Sequence, residues 1–347
     1  MKILHLSYGY GNGGAETFAI DTMLALQERG VEQFVLYHGN NNFRNSLRCA
    51  KIPHKKLNFV NWKKWIERWM IQRRINAFSP DIVHCWTPHA AAFIPRNSGV
   101  PSLGWFGGYH KIKHHAICDY YMGVTLDIVQ HIQKQDIRPD KVFLGHTFGT
   151  LPQDAPLSRA TFGIPDGKPV ILLLARMHWV KGVDILLRAS VGLDAFLLLC
   201  GDGPELETYR KLAHDLGLES RVCFPGWRQD RSALLDLADI LAVPSRDEPF
   251  GTVMPEAWYK KVPVVAAKAQ GPRFYIKHGE NGMLCEIENV DGLTKNLNAV
   301  LSDSALRKKL IAGGIRTYET LFTKDAVTSE LMANYEEIIR RGVIKNQ

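Results

Sequence analysis

The 347-residue sequence has no long uninterrupted apolar run, which argues against a transmembrane helix. Its first residues, Met1-Lys-Ile-Leu-His-Leu-Ser, lack the apolar core of a secretory leader and read instead as a strand entering a Gly-rich turn. Cysteine is sparse. The six residues, at 49, 85, 118, 200, 223 and 285, form no close pair in sequence. They support no disulfide framework and read as small buried hydrophobes in a reducing, cytoplasmic compartment. There is no Asp-x-Asp to hold a divalent ion. His114-His115 stand without a carboxylate at ligand spacing, so no metal is expected. A dinucleotide fingerprint is also missing, because the glycines after the first strand are wrongly spaced.

What the chain does have is length for two domains and an ordinary hydrophobic content of 46%, enough for sizeable cores. Strand-like and helical runs alternate throughout, the pattern of α/β domains built on parallel sheets. The net charge of +8 is unevenly placed: residues 1–150 hold 18 Lys and Arg against 10 Asp and Glu, whereas residues 151–347 hold 25 of each. Ten of the thirteen His also lie in the first part. That excess suits an anionic partner, namely an acidic membrane surface, a phosphorylated glycan or nucleic acid. No nucleic-acid motif accompanies it, so nucleic acid is not expected. The helical run from Asn61 carries Trp62, Trp65, Ile66, Trp69 and Met70 at helical spacing, with Lys63, Lys64, Arg68, Arg73 and Arg74 on other faces. It fits either an anionic membrane interface or a sheet-packing helix with buried tryptophans.

The densest cluster of signals is Val243–Gly282. Glu248 lies in a loop after the apolar strand Ile240–Val243. Glu256 lies eight positions later in a helical run that Pro255 suits as a first turn. Between them, the backbone of Phe250, Gly251 and Thr252 stands near a helix start, which attracts anions and hydroxyl oxygens. Upstream, Arg176 follows the strand Pro169–Ala175 and Lys181-Gly182 opens the next helix. Two cations at the carboxyl end of a parallel strand suit a diphosphate.

Pro244-Ser245, Glu248, Phe250-Gly251, Glu256-Ala257, Pro263-Val264-Val265, Gly271 and Asn281-Gly282 together resemble the E-x7-E signature of retaining glycosyltransferases (glycosyltransferase group 1, family 4-like). The resemblance implies the GT-B fold, with two Rossmann-like domains facing each other across a cleft. They would be an acceptor-binding domain at 1–155 and a nucleotide-sugar domain at 156–323, with a terminal helix, 324–347, crossing back to the first. It implies a metal-independent hexosyltransferase needing no cofactor, with the nucleotide sugar as substrate. A UDP-sugar is favoured and a GDP-sugar is next. The acceptor would be a glycan or lipid-linked acceptor of bacterial surface polysaccharide or lipopolysaccharide synthesis, reached in the cytoplasm or at the inner face of the membrane.

By the same resemblance Arg176, Lys181 and Glu248 are catalytic. Gly13, Gly14, Gly201, Trp227, Arg228, Phe250, Gly251, Thr252 and Glu256 bind the donor, Glu256 through the ribose hydroxyls. His84, Trp86, His110 and Lys111 are acceptor or sugar candidates. His84 fits the first His of the family's His-x-His, but Trp86 replaces the second. Lys260-Lys261 stands where glycine is usual, and Arg273-Phe274 where a Glu is usual. Two alternatives remain open on the same fold: a non-catalytic glycan- or nucleic-acid-binding subunit, and a sugar-nucleotide epimerase.

Overall fold

The computed structural model describes residues 1–9, 14–59, 64–114, 117–149, 151 and 153–345. Gly13, Trp62, Lys63 and His115 lie outside these. The chain divides into two compact units, one of residues 1–148 with 323–347 and one of residues 149–322.

The first unit is built on seven parallel strands: β1 (Lys2–Tyr8), β2 (Glu32–His38), β3 (His54–Lys56), β4 (Ile82–Cys85), β5 (Ser102–Phe106), β6 (Tyr120–Gly123) and β7 (Val142–Leu144). Their order in the sheet is β3-β2-β1-β4-β5-β6-β7, reversing direction of travel on either side of β1. Strands of such a sheet are covered on both faces and therefore read as continuous apolar runs. β4, β5 and β6 are buried at every position. His5 and His84 are polar yet buried in this sheet, and both find partners. His5 on β1 lies 3.0 Å through Nε2 from Gln33 Oε1 and accepts from Trp86 Nε1 at 3.2 Å through Nδ1. His84 on β4 meets the Tyr335 hydroxyl through Nδ1 at 2.6 Å. Tyr335 belongs to the terminal helix Lys324–Lys345, which packs on this unit through the buried Leu331, Tyr335 and Ile338.

The second unit carries six parallel strands: β8 (Val170–Leu174), β9 (Phe196–Cys200), β10 (Val222–Cys223), β11 (Ile240–Val243), β12 (Val264–Ala267) and β13 (Met283–Cys285), in the order β10-β9-β8-β11-β12-β13. Its sheet repeats the pattern, with the reversal between β8 and β11. Ligands of open α/β sheets bind outside the carboxyl ends of the strands at such a reversal.

Most element positions follow the sequence reading, and three differ. The sequence reads Trp105–His115 as one loop, but Trp105 and Phe106 close β5 as buried residues. β3 and the helix Asn41–Cys49 lie where the sequence analysis places no element. The helix Lys64–Phe78 buries Glu67, Ile71 and Ile75, an i, i+4, i+8 stripe, and leaves Trp65 and Trp69 73% and 59% exposed. Its tryptophans therefore do not pack on the sheet. Of the cysteines, 85, 118, 200 and 285 are buried as expected and Cys49 is exposed. Among the described residues no helix is long and apolar enough to cross a membrane.

Candidate functional site

The second unit gathers the candidate side chains at the carboxyl ends of its strands. After β8 the chain runs through exposed Arg176 into a 3-10 turn, Trp179–Lys181, whose Val180 amide donates to His178 Nδ1 at 3.3 Å. Gly182 ends that turn at φ +66°, and a Cβ there would stand 2.1 Å from the Pro244 carbonyl oxygen. Only glycine lets the post-β8 turn close on the residues after β11. The contact delivers Lys181 to Glu248: Nζ donates to Oε2 at 2.7 Å. Ser245 Oγ donates to the same oxygen at 3.2 Å. The Glu248 backbone is fixed from β12's far side, its amide donating to Gln270 Oε1 at 3.1 Å and its carbonyl accepting from the Gly271 amide at 2.8 Å.

The neighbouring strand ends are stitched together in the same way. Gly201 follows β9 at φ +152°, and a Cβ there would stand 1.8 Å from the Ala175 carbonyl oxygen, so no other residue fits. Its amide donates to the Gly226 carbonyl at 2.9 Å, which brings the Trp227-Arg228 turn alongside. Trp227 is 69% exposed. The Arg228 guanidinium is held by the Asp230 carboxylate, with Nε to Oδ1 at 2.9 Å. The pairing raises the Arg228 pKa and lowers that of Asp230.

Phe250 and Gly251 are buried, and Thr252 precedes the helix Val253–Tyr259, which carries Glu256 in its first turn. Glu256 is only 3% exposed. Its Oε1 meets Arg231 Nη1 at 2.9 Å, but Oε2 is buried with no hydrogen-bond partner. Burial raises the carboxyl and the Arg231 charge lowers it. Burial wins, and the group is pushed up to about 7. Arg231 itself is placed by Asp154, whose carboxylate accepts from the next amide, Ser232, at 3.0 Å.

The structure thus brings Arg176, Lys181, Gly201, Trp227, Arg228, Glu248, Phe250, Gly251, Thr252 and Glu256 to the strand-end region of one unit. Gly14 opens the first-unit helix Gly14–Glu28. His84 and Trp86 are core groups. Trp86 is buried, with its ring 4.0 Å from that of His84, and neither has surface to offer a sugar in this conformation. His110 and Lys111 lie exposed after β5, where the His110 carbonyl lies 3.0 Å from His131 Nε2. Burial lowers His5 to about 4 and holds His84 well below the usual imidazole value. The rest of the matched motif is scaffold. Asn281 accepts from the Lys277 amide at 2.7 Å and donates to the Tyr275 carbonyl at 2.9 Å, while the Trp258 indole donates to the Asn281 carbonyl at 2.9 Å.

Two residues that the sequence reading passed over matter here. Arg231 has no motif of its own and is found only through its contact with Glu256. Arg246 sits inside the Ser245–Glu248 segment. It grips Asp184 with both Nη atoms at 2.8 Å, donates to the Trp179 carbonyl at 2.8 Å and reaches Glu288 through Nε at 2.8 Å. It therefore ties the Lys181 turn to the Glu248 loop.

Two doubly wound parallel-sheet units, the second with cations and carboxylates at its strand reversal, define a glycosyltransferase of the GT-B fold. The chain belongs to the glycosyltransferases that join two such domains. Residues 154–317 match the family model "Glycosyl transferases group 1", and residues 12–144 match "Glycosyltransferase Family 4". The lipopolysaccharide core biosynthesis glycosyltransferase LpsE of Rhizobium meliloti is 29% identical, over 94% of this chain and 97% of its own. LpsD of the same organism is also 29% identical, over 99% and 100%. The crystal structure of Anabaena Alr3699/HepE in complex with UDP superposes with a TM-score of 0.83 at 20% identity, covering 97% of this chain and 100% of that one.

Proposed function

We propose that this glycosyltransferase is a retaining, metal-independent hexosyltransferase. It would move a sugar from a UDP-sugar, or next a GDP-sugar, to a glycan or lipid-linked acceptor of lipopolysaccharide core synthesis. The observation that carries the reading is the acidic and basic set at one strand reversal: Lys181 on Glu248 at 2.7 Å, with Glu256 buried nearby in sequence and holding an unpartnered oxygen. A buried carboxylate oxygen without a donor is costly, and a ribose hydroxyl would satisfy it. In the reaction the bond from the anomeric carbon to the phosphate oxygen breaks, and the acceptor oxygen bonds to that carbon from the same face. The leaving phosphate takes the acceptor's proton. Arg176 and Lys181 stabilise the charge that develops on the diphosphate. Glu248, released from Lys181 as the diphosphate arrives, holds sugar hydroxyls beside the positive anomeric carbon. Glycine at 201, with Trp227 and Arg228, frames the base.

The likeness to the two core-biosynthesis relatives supports the acceptor class, and the UDP complex of the HepE structure supports the donor. An anionic membrane surface is the proposed docking partner of the first unit, through exposed Trp65 and Trp69 beside Lys64 and Arg68. The test is incubation with UDP-glucose, UDP-galactose and GDP-mannose, core-oligosaccharide acceptors and excess EDTA, with product stereochemistry read by NMR. An α-linked product from an α-linked donor in the presence of EDTA is expected. An inverted product, or loss of transfer on chelation, refutes the mechanism. Equal flotation with neutral and anionic vesicles refutes the membrane partner.

A further inference from the structure

The first unit contains a cavity of about 660 Å³ between the start of the helix Lys64–Phe78, the connection 92–101 and the starts of β5 and β6. Its lining includes four cations, Lys64, Arg68, Arg96 and Lys113, and a single carboxylate, Asp119. That carboxylate is already engaged, accepting from the Ser102 amide at 3.1 Å and from its hydroxyl at 2.8 Å. None of the four cations forms an ion pair among the described residues. Arg68 is anchored by Nη2 on the Ala92 carbonyl at 3.0 Å, while its Nε is buried with no acceptor. Burial and the neighbouring Arg68 charge together lower the Lys64 ammonium. Like charges held together in a concave site, with a guanidinium N–H left unsatisfied, concentrate positive potential that an anion would relieve. None of His84, Trp86, His110 or Lys111 lines this space.

We propose that this cavity binds a sugar-sized ligand carrying two or more phosphate groups, with Arg68, Arg96 and Lys113 on the phosphates. Four cations against one occupied carboxylate call for more than a single negative charge. Arginine's planar fork suits phosphate oxygens, and the volume exceeds that of one inorganic phosphate while falling within the range of small-molecule sites. Asn97 supplies an amide for a hydroxyl. The phosphates belong either to a free sugar phosphate or to a lipid-borne headgroup, and the chemistry is the same. The site is independent of the donor machinery, since every lining residue lies in the first unit.

The experiment uses the full chain and two probes: glucose bisphosphate by calorimetry, and phosphatidic acid in phosphatidylcholine vesicles by flotation. Arg96 and Lys113 are exposed, so Arg96→Ala/Lys113→Ala is compared with the charge-matched Lys308→Ala/Lys309→Ala on the second unit. Unchanged melting temperatures show that both variants fold. The cavity variant is expected to weaken glucose bisphosphate on the order of a hundredfold, with the control unchanged. Vesicle binding alone, lost in the cavity variant and kept in the control, assigns the site to a lipid headgroup. Binding of neither probe, or equal loss in both double variants, overturns the site. None of these results depends on Glu248, Glu256 or transfer activity.

Discussion

Glu256 makes the donor reading quantitatively testable. In the free protein its carboxyl is pushed up to about 7 by burial against the opposing pull of Arg231. A ribose hydroxyl donating to the unpartnered oxygen favours the charged form and returns the group to the ordinary carboxylate range. Binding must then release a proton: about half per nucleotide at pH 7, about nine-tenths at pH 6 and almost none at pH 8.5. The linked affinity of UDP weakens about twofold at pH 7 and about tenfold at pH 6, relative to alkaline solution. Calorimetry in buffers of different ionisation enthalpy counts the protons. The diphosphate itself titrates near pH 6, roughly, so the quantity to read is the difference from Glu256→Gln, in which that titration is shared. The glutamine keeps the shape but not the charge, and should bind about tenfold more weakly at pH 8.5, with the two curves converging toward pH 6. The ligand-free fold gives an opposite check. Glu256's contribution to stability is present below the unfolded value of 4.5 and lost as pH rises through about 7. That swing is about 3 kcal/mol, so Glu256→Gln should melt above wild type at pH 8.5. A constant affinity gap across pH, or equal proton release by both proteins, refutes the assignment of Glu256 to the ribose.

Arg176→Ala should lower turnover by about a hundredfold or more with little effect on the affinity for free nucleotide, as read by steady-state and equilibrium measurements. Wild-type turnover would remove Arg176 from the reaction. Arg246→Lys keeps one charge but loses the two-pronged grip on Asp184. It should depress kcat by about tenfold, leave acceptor KM unchanged and alter the pH profile little. An unchanged kcat would reduce Arg246 to a purely structural role. His5 should keep a neutral ring down to pH 5 by NMR. The fold should lose up to about 3 kcal/mol as pH falls from 6.5 toward 4, because the unfolded chain binds the proton first. A ring titrating at its free value refutes the buried network.

The strands were legible because those covered on both faces are written as apolar runs such as Val170–Leu174 and Phe196–Cys200, whereas their order in each sheet was not. The Glu248–Glu256 spacing was legible for a different reason: its helix, strand and turn signals are all local. What stayed hidden depends on partners distant in sequence. Arg246 finds Asp184 62 residues away, and Glu256 finds Arg231 across a strand and a loop. For Trp65 and Trp69 the sequence left an exposed interface and a core face both open, because a helical stripe of aromatics suits either, and Ile71 and Ile75 turn out to supply the core face. His84 looked ready for a ligand, and its partners, the Trp86 ring and the distant Tyr335 hydroxyl, make it a core residue instead. Lys261 shows why glycine is usual before the Pro263 strand: it holds φ +62°, the left-handed conformation that ends many helices.

The first unit is assembled from two separated segments, residues 1–148 and 323–347, whereas the second is one uninterrupted segment. During synthesis the second lobe can therefore complete its fold while the first still lacks its closing helix. Without Tyr335 the His84 imidazole lacks the hydroxyl that its Nδ1 meets in the folded protein. A stop codon after residue 322 would leave an intact second unit attached to a first unit with an exposed apolar groove, a species prone to aggregation and proteolysis.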